Sequence, residues 1–272
     1  IALLKEAGIT EIIVNLHWKG DVIKQFFIEN KNFGMSIEFS FEEEILGTGG
    51  GVKKCESLLS DEPFIIINSD IITDISIKEV INFYMHAHIE SLLVIHKLPH
   101  TQNGTIAIGK KKITDINNLL HTNNILNHDY MGIAILSPHI FKYLHPTPSS
   151  IVSPGFLDLI KHHSLHFYEH TGMWQDIGTL DSFLKTSLIL MENKNYLSRI
   201  QRHIQYQIDY IHKTSEILPD VTIINSIVGE NCSISSGSHI ENSVILPDSK
   251  ITSPQSIQNS LFYKQTVLLG CY

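Results

Sequence analysis

The sequence predicts an α/β domain on an open, mostly parallel sheet, followed by a short parallel β-helix. Three observations carry this. Helical and strand-like hydrophobic periods alternate over residues 1–170. Pro63-Phe64-Ile65-Ile66-Ile67 is a continuous apolar run, as expected of a strand buried on both faces. Beyond residue 217 single branched apolar residues recur in steps of five or six.

Taken in order, Ile1–Ala7 reads as a helix tail closed by Gly8, and 11–16 as a strand. A helix is expected around 21–28, a strand at 36–41, and a helix at 49–59 after a glycine-rich loop. The run at 63–67 ends in Asn68-Ser69-Asp70, and Ser76 caps a helix to His86. Strands are expected at 91–96, 105–108, 112–116, 130–136 and 165–169, with a helix at 180–192. Residues 194–216 are polar and read as a linker. From there Ile223, Val228, Ile234, Ile240, Ile245, Ile251, Ile257 and Phe262 mark the steps. The pairs Asn225-Ser226, Asn242-Ser243 and Asn259-Ser260 hold one phase with a spacing of 17. That repeat assigns 217–272 to the β-helix, one rung being three faces.

Composition excludes several classes. With 43% hydrophobic and 18% charged residues the chain is globular rather than disordered. Its formal charge of −8, without a basic run, argues against nucleic acid and anionic membrane as partners. No apolar run has the length of a membrane helix. Three widely spaced cysteines suggest neither a disulfide framework nor a zinc cluster, and a cytoplasmic setting is expected.

Three segments have chemical potential. Leu46-Gly47-Thr48-Gly49-Gly50 follows a strand and opens a helix, so backbone can approach a ligand closely. Asp70 lies beyond the end of a buried strand, where open α/β sheets place ligands. Asp176, in Trp174-Gln175-Asp176-Ile177-Gly178-Thr179, is a second acid before a glycine and a helix. Two carboxylates with substrate phosphates suit Mg²⁺, which keeps few protein ligands. The bland readings are a flexible glycine loop and two cap residues. Glu42–Glu44 reads as a solvated loop, and Trp18 and Trp174 as packing residues. His166 and His170 fall on one strand face, but without carboxylate or cysteine partners at ligand spacing.

Together with Met131-Gly132-Ile133, the order of these motifs resembles the sugar-1-phosphate nucleotidyltransferases. The resemblance is to the mannose-1-phosphate guanylyltransferase-like NDP-sugar pyrophosphorylases. It implies a Rossmann-like catalytic sheet over 1–193 and a left-handed β-helix of hexapeptide repeats. It further implies that Asp70 and Asp176 bind the catalytic Mg²⁺, and that Leu46, Gly47, Thr48 and Gly49 lie against the nucleotide. Gly104 and Gly132 take backbone positions beside the sugar. The implied reaction joins a nucleoside triphosphate to a sugar-1-phosphate and releases pyrophosphate, for nucleotide-sugar and cell-surface polysaccharide synthesis.

Two family features are not found in this sequence. The Gly-rich loop with its Arg and Pro-Lys pair is not seen, so the sequence is expected to be a fragment short of about 25–40 residues, inactive alone. Asn117-Asn118 stands where relatives carry Glu-Lys. A non-catalytic scaffold or regulatory homologue, assembling through the β-helix, is the alternative. A hexapeptide acyltransferase would need a catalytic histidine in the repeats, where only His239 occurs. The sequence does not tell which base and which sugar are used.

Overall fold

The computed structural model describes residues 1–99, 103–204 and 209–269. It divides into two compact units, the first comprising 1–69 and 75–174, the second 70–74 and 175–272.

The first unit opens with α1 (Ala2–Glu6), β1 (Glu11–Leu16), α2 (Gly20–Glu29) and β2 (Ser36–Phe41). β1 and β2 pair in parallel from Glu11↔Ser36 to Leu16↔Phe41. Next come α3 (Gly47–Lys54), α4 (Glu56–Leu59) and β3 (Phe64–Ile67). The glycines are therefore the first turn of α3 rather than a loop before it. β4 (Ile71–Thr73) follows and belongs to the second unit.

The chain returns to the first unit with α5 (Ile77–Ala87), whose N-cap Ser76 accepts a hydrogen bond from Glu79 N. Then come β5 (Ser91–Lys97), β6 (Ile106–Ile108), β7 (Ile113–Ile116), β8 (Leu126–Leu136), α6 (Leu157–Lys161) and β9 (Leu165–His170). β8 organises this sheet. One edge is shared by β6 at its start and β3 at its end, and the other edge pairs with β5. All three pairings are antiparallel, as is β6 with β7, and only β5 with β9 is parallel. The sheet is thus mixed, not mostly parallel. The apolar runs report burial on both faces, which parallel sheets require, but burial does not fix strand direction. Leu93, Ile95, Ile106, Leu136 and Phe156 form its core, each without solvent exposure. A side chain of this size stabilises by about 1.5–3 kcal/mol when buried.

The second unit joins β4 to β10 (Trp174–Asp176), α7 (Leu180–Glu192) and α8 (Lys194–Ile204). The segment expected as a linker from 194 thus begins as a helix. Its strong amphipathy is the periodic signal that its polar composition obscures. The compact units divide at 174/175, and Leu184 of α7 is buried with Val244 and Leu261 of the later strands.

The rest consists of short strands in three ladders. β11 (Glu216–Ile217), β12 (Thr222–Ile224) and β13 (Ile227–Val228) make the first rung. β14 (Ser233–Ile234), β15 (His239–Glu241) and β16 (Val244–Ile245) lie parallel beside them in the same order. β17 (Lys250–Ile251), β18 (Ser256–Gln258) and β19 (Leu261–Tyr263) repeat the pairing. β20 (Thr266–Leu269) folds back antiparallel on β19.

The recurring Asn-Ser pair has a physical cause. Asn225, Asn242 and Asn259 turn the corner with φ of 43°, 48° and 47°, a region asparagine tolerates. Each following serine points inward. Ser226 Oγ donates to Ile224 O at 2.7 Å and accepts from Ser243 N at 3.0 Å. Ser243 does the same toward Ser260 N, so buried corner amides are satisfied from rung to rung.

Candidate functional site

The glycine segment is shaped by close packing within the first unit. A Cβ on Gly47 would lie 2.6 Å from Ser149 O, and one on Gly50 2.5 Å from Thr147 O. Gly49 N donates to Ser149 O, Ser149 N donates to Leu46 O, and Thr48 Oγ1 accepts from Ile151 N at 2.9 Å. The glycines therefore admit the backbone of 147–150 against the first turn of α3.

Glu42 is the residue that sequence reasoning missed. It is buried, not solvated. One carboxylate oxygen accepts from Asn15 Nδ2 at 2.9 Å and the other from Leu46 N at 2.8 Å. A Cβ on Gly51 would meet Glu42 Oε1 at 2.7 Å, so this glycine makes room for the carboxylate. Sequence neighbours Glu43 and Glu44 disguised it as part of a charge run.

Gly132 has φ +76°, and a Cβ there would lie 2.9 Å from Asn68 Cβ, while Asn68 N donates to Gly132 O at 2.8 Å. Only glycine supports that conformation in that space. Gly104 is pressed against β8: a Cβ would fall 2.4 Å from His128 O. Beside it Thr105 donates through both N and Oγ1 to Asp129 Oδ1. Asn117 and Asn118 sit at φ 52° and 55° in a turn whose first amide donates to Thr105 O.

Asp70 and Asp176 come together in the second unit. β4 and β10 pair, and Ile177 N donates to Asp70 O at 2.8 Å. Gly178 N donates to Asp176 Oδ1 at 2.8 Å. A Cβ on Gly178 would lie 3.0 Å from Asp176 Oδ1 and 3.5 Å from Asp70 Oδ2, so both carboxylates flank one point. Both are exposed. Immediately after, Thr179 and Ser182 form a reciprocal capping box that starts α7. Two exposed carboxylates beside one point are hard oxygen donors of the kind Mg²⁺ prefers.

The histidines gather elsewhere. Among the described residues no group of three or more His, Cys, Asp or Glu side chains is placed to hold a metal ion. His128 is 3% exposed, its Nδ1 bonded to Asn127 Oδ1 at 2.7 Å and its Nε2 3.9 Å from Glu169 Oε2. Burial draws its pKa below the ordinary histidine value, with Glu169 pulling the other way. The folded state thus favours neutral His128, and the unfolded chain binds the proton more tightly. The resulting stability is complete above the ordinary histidine value and is lost as pH falls through it toward the folded value. The melting temperature is expected to fall between about pH 7.5 and about pH 5.5, and the fall should be smaller in His128→Gln. Equal slopes in scanning calorimetry would show the assignment to be wrong.

Trp174 is half-buried with its ring 5.7 Å from His96, whereas Trp18 is 77% exposed and packs on nothing large. Two open clefts of about 620 and 550 Å³ are lined by residues such as Lys112, Thr122 and His163, and Lys53, Phe141 and His145. Neither includes a residue singled out from the sequence.

Residues 1–193 match the family described as Nucleotidyl transferase. The chain belongs to this family. A mannose-1-phosphate guanyltransferase of Gibberella zeae is 27% identical over 199 residues, covering 71% of this chain and 55% of that protein. The mannose-1-phosphate guanyltransferase beta-A of Xenopus laevis is 26% identical over 239 residues, covering 86% and 64%. The chain thus spans little more than half the length of the former. Among solved structures, HddC from Yersinia pseudotuberculosis superposes with a TM-score of 0.54 at 22% identity, covering 68% of this chain and 80% of HddC. A second structure of that protein, complexed with GMP-PN, gives 0.55 at 22% identity and covers 67% and 80%. These likenesses establish a nucleotidyltransferase fold with a mixed sheet and C-terminal strands. Among the described residues no helix is long and apolar enough to cross a membrane.

Proposed function

We propose that this family member transfers a nucleotidyl group from a nucleoside triphosphate to a sugar-1-phosphate, releasing pyrophosphate, with GTP and mannose-1-phosphate the first pair to test. The observation that carries this reading is the convergence of Asp70 and Asp176, far apart in sequence, on one point beside Gly178. Their hard oxygen donors would hold Mg²⁺, which when bound offsets charge on the phosphates. The chain's own contribution is alignment. Backbone at Leu46, Gly47, Thr48 and Gly49 would face the nucleotide, and main chain at Gly104 and Gly132 would lie against the sugar. A sugar-phosphate oxygen then attacks the α-phosphorus, and the bond to the leaving pyrophosphate breaks, with no covalent enzyme intermediate.

The same reading takes residues 1–193 as the catalytic region and the laddered strands of 217–272 as a left-handed β-helix of hexapeptide repeats. The parallel register at a spacing of 17 supports it. Self-association through that β-helix belongs to the proposal, with Leu218, Ile224, Tyr263 and Leu268 exposed on it. A cytoplasmic role in supplying nucleotide sugars for cell-surface polysaccharide agrees with the free, buried Cys55 and Cys232.

The test is pyrophosphate release from GTP, UTP, CTP, ATP and dTTP, each against mannose- and glucose-1-phosphate with Mg²⁺, using the gene product at its full length. One base and one sugar should stand out. Failure of every pair would favour a non-catalytic homologue.

A further inference from the structure

The two carboxylates belong to the compact unit that carries α7, α8 and the laddered strands, and not to the unit that carries the large sheet. Their placement comes from contacts inside that unit. Arg199 on α8 donates from Nη1 to Asp74 O at 2.6 Å, immediately after β4. This fixes the far end of the strand that begins beside Asp70. On the other arm, α7 starts four residues after Asp176 and is gripped along its length. Leu184 is buried with Val244 and Leu261 of the ladders, and Tyr210 Oη donates to Met191 O at 2.8 Å near the helix C-terminus. Tyr210 O in turn accepts from Val228 N of the first rung.

We propose that Arg199 is a positioning residue for the divalent-cation pair. It holds β4 so that the Asp70 carboxylate stays in register with Asp176, whose position the ladders fix through α7. The inference rests on reading Asp70 and Asp176 as one cation site. It predicts that cation affinity responds to a residue on α8 that bonds to main chain at the far end of β4. Partners that orient metal ligands typically change affinity about 10–100-fold when removed.

The experiment titrates Mn²⁺ into the full chain, following free Mn²⁺ by electron paramagnetic resonance. Wild type, Asp70→Asn, Arg199→Ala and Arg199→Lys are compared, with thermal melts of each in the absence of metal. Asp70→Asn should remove the site. Arg199→Ala should weaken binding about tenfold with its melting temperature little changed, and Arg199→Lys, which keeps a cationic donor at this position, should recover most of the affinity. Unchanged affinity in Arg199→Ala overturns the positioning role while leaving the cation site intact. Affinity lost in step with melting temperature, without rescue by lysine, also overturns it by showing a general structural role. Absence of any binding dependent on Asp70 overturns the cation site and this proposal together.

Discussion

Asp70→Asn is expected to lower pyrophosphate release about a thousandfold at saturating substrates, with little change in melting temperature. The carboxylate is exposed and follows the end of strand β3 in the chain, so the fold loses little with its charge. The reaction loses more. A bound divalent ion supplies several kcal/mol of charge stabilisation at a transferring phosphoryl group, and each ~1.4 kcal/mol is a factor of ten in rate. Asp176→Asn should act in the same direction, since Asp176 Oδ1 is already engaged by Gly178 N and asparagine keeps that bond. Under the proposed function the double variant should be scarcely worse than the more damaging single one, because both residues would serve one ion. Additive losses in single-turnover measurements, or an unaffected rate in Asp70→Asn, would refute a shared cation.

The second large effect concerns stability. Asp115 is 1% exposed, and its carboxylate accepts from Leu120 N at 3.0 Å, Thr122 N at 3.0 Å and Thr122 Oγ1 at 2.9 Å. Burial by itself would raise its pKa, but these donors outweigh burial and hold it below the ordinary carboxylate value. Asp115→Ala orphans all three donors, each worth about 1–3 kcal/mol if it stays buried. Because the turn can open to water, the net loss is expected near 3 kcal/mol, or about 10 °C in melting temperature. Asp115→Asn keeps an acceptor and should lose less. The ionised carboxylate contributes fully above the unfolded value of about 3.9, and the contribution disappears as pH falls through the lower folded value. Calorimetry of the alanine variant at neutral pH tests this, and a loss under about 1 kcal/mol would mean that the turn does not depend on Asp115. The same turn sets Asn117 and Asn118 in left-handed backbone, so their conformation should change with it.

Much of this was legible in the sequence. The bounds of α5 follow from a serine cap and apolar periodicity and those of α7 from apolar periodicity, and the structure places both helices within a residue of the expected ends. The repeat of the Asn-Ser pair was readable because one local geometry recurs with fixed spacing. Strand direction in the main sheet was not, since the apolar runs of β3, β5 and β8 look alike whichever way the chain travels. Nor was the role of Glu42, whose partners Asn15 and Leu46 come from separate elements. The pairing of Asp70 with Asp176 was readable only as an ordered set of motifs. Each acid alone resembles a strand-end or cap residue, and their approach depends on two three-residue strands too short to leave a hydrophobic period.

The corner serines also set the grammar by which this chain can change length. Ser226 and Ser243 each satisfy an amide 17 residues onward, and Ser260 keeps the same bond to its own corner carbonyl, so the last rung repeats the pattern of the first. A duplication or deletion of one whole rung leaves every inward residue facing inward and every corner filled. A length change of any other size moves asparagine into the wall and isoleucine into the turn. Variation in this part of the protein is therefore quantised in units of one rung, and tandem duplication is its natural mode of growth.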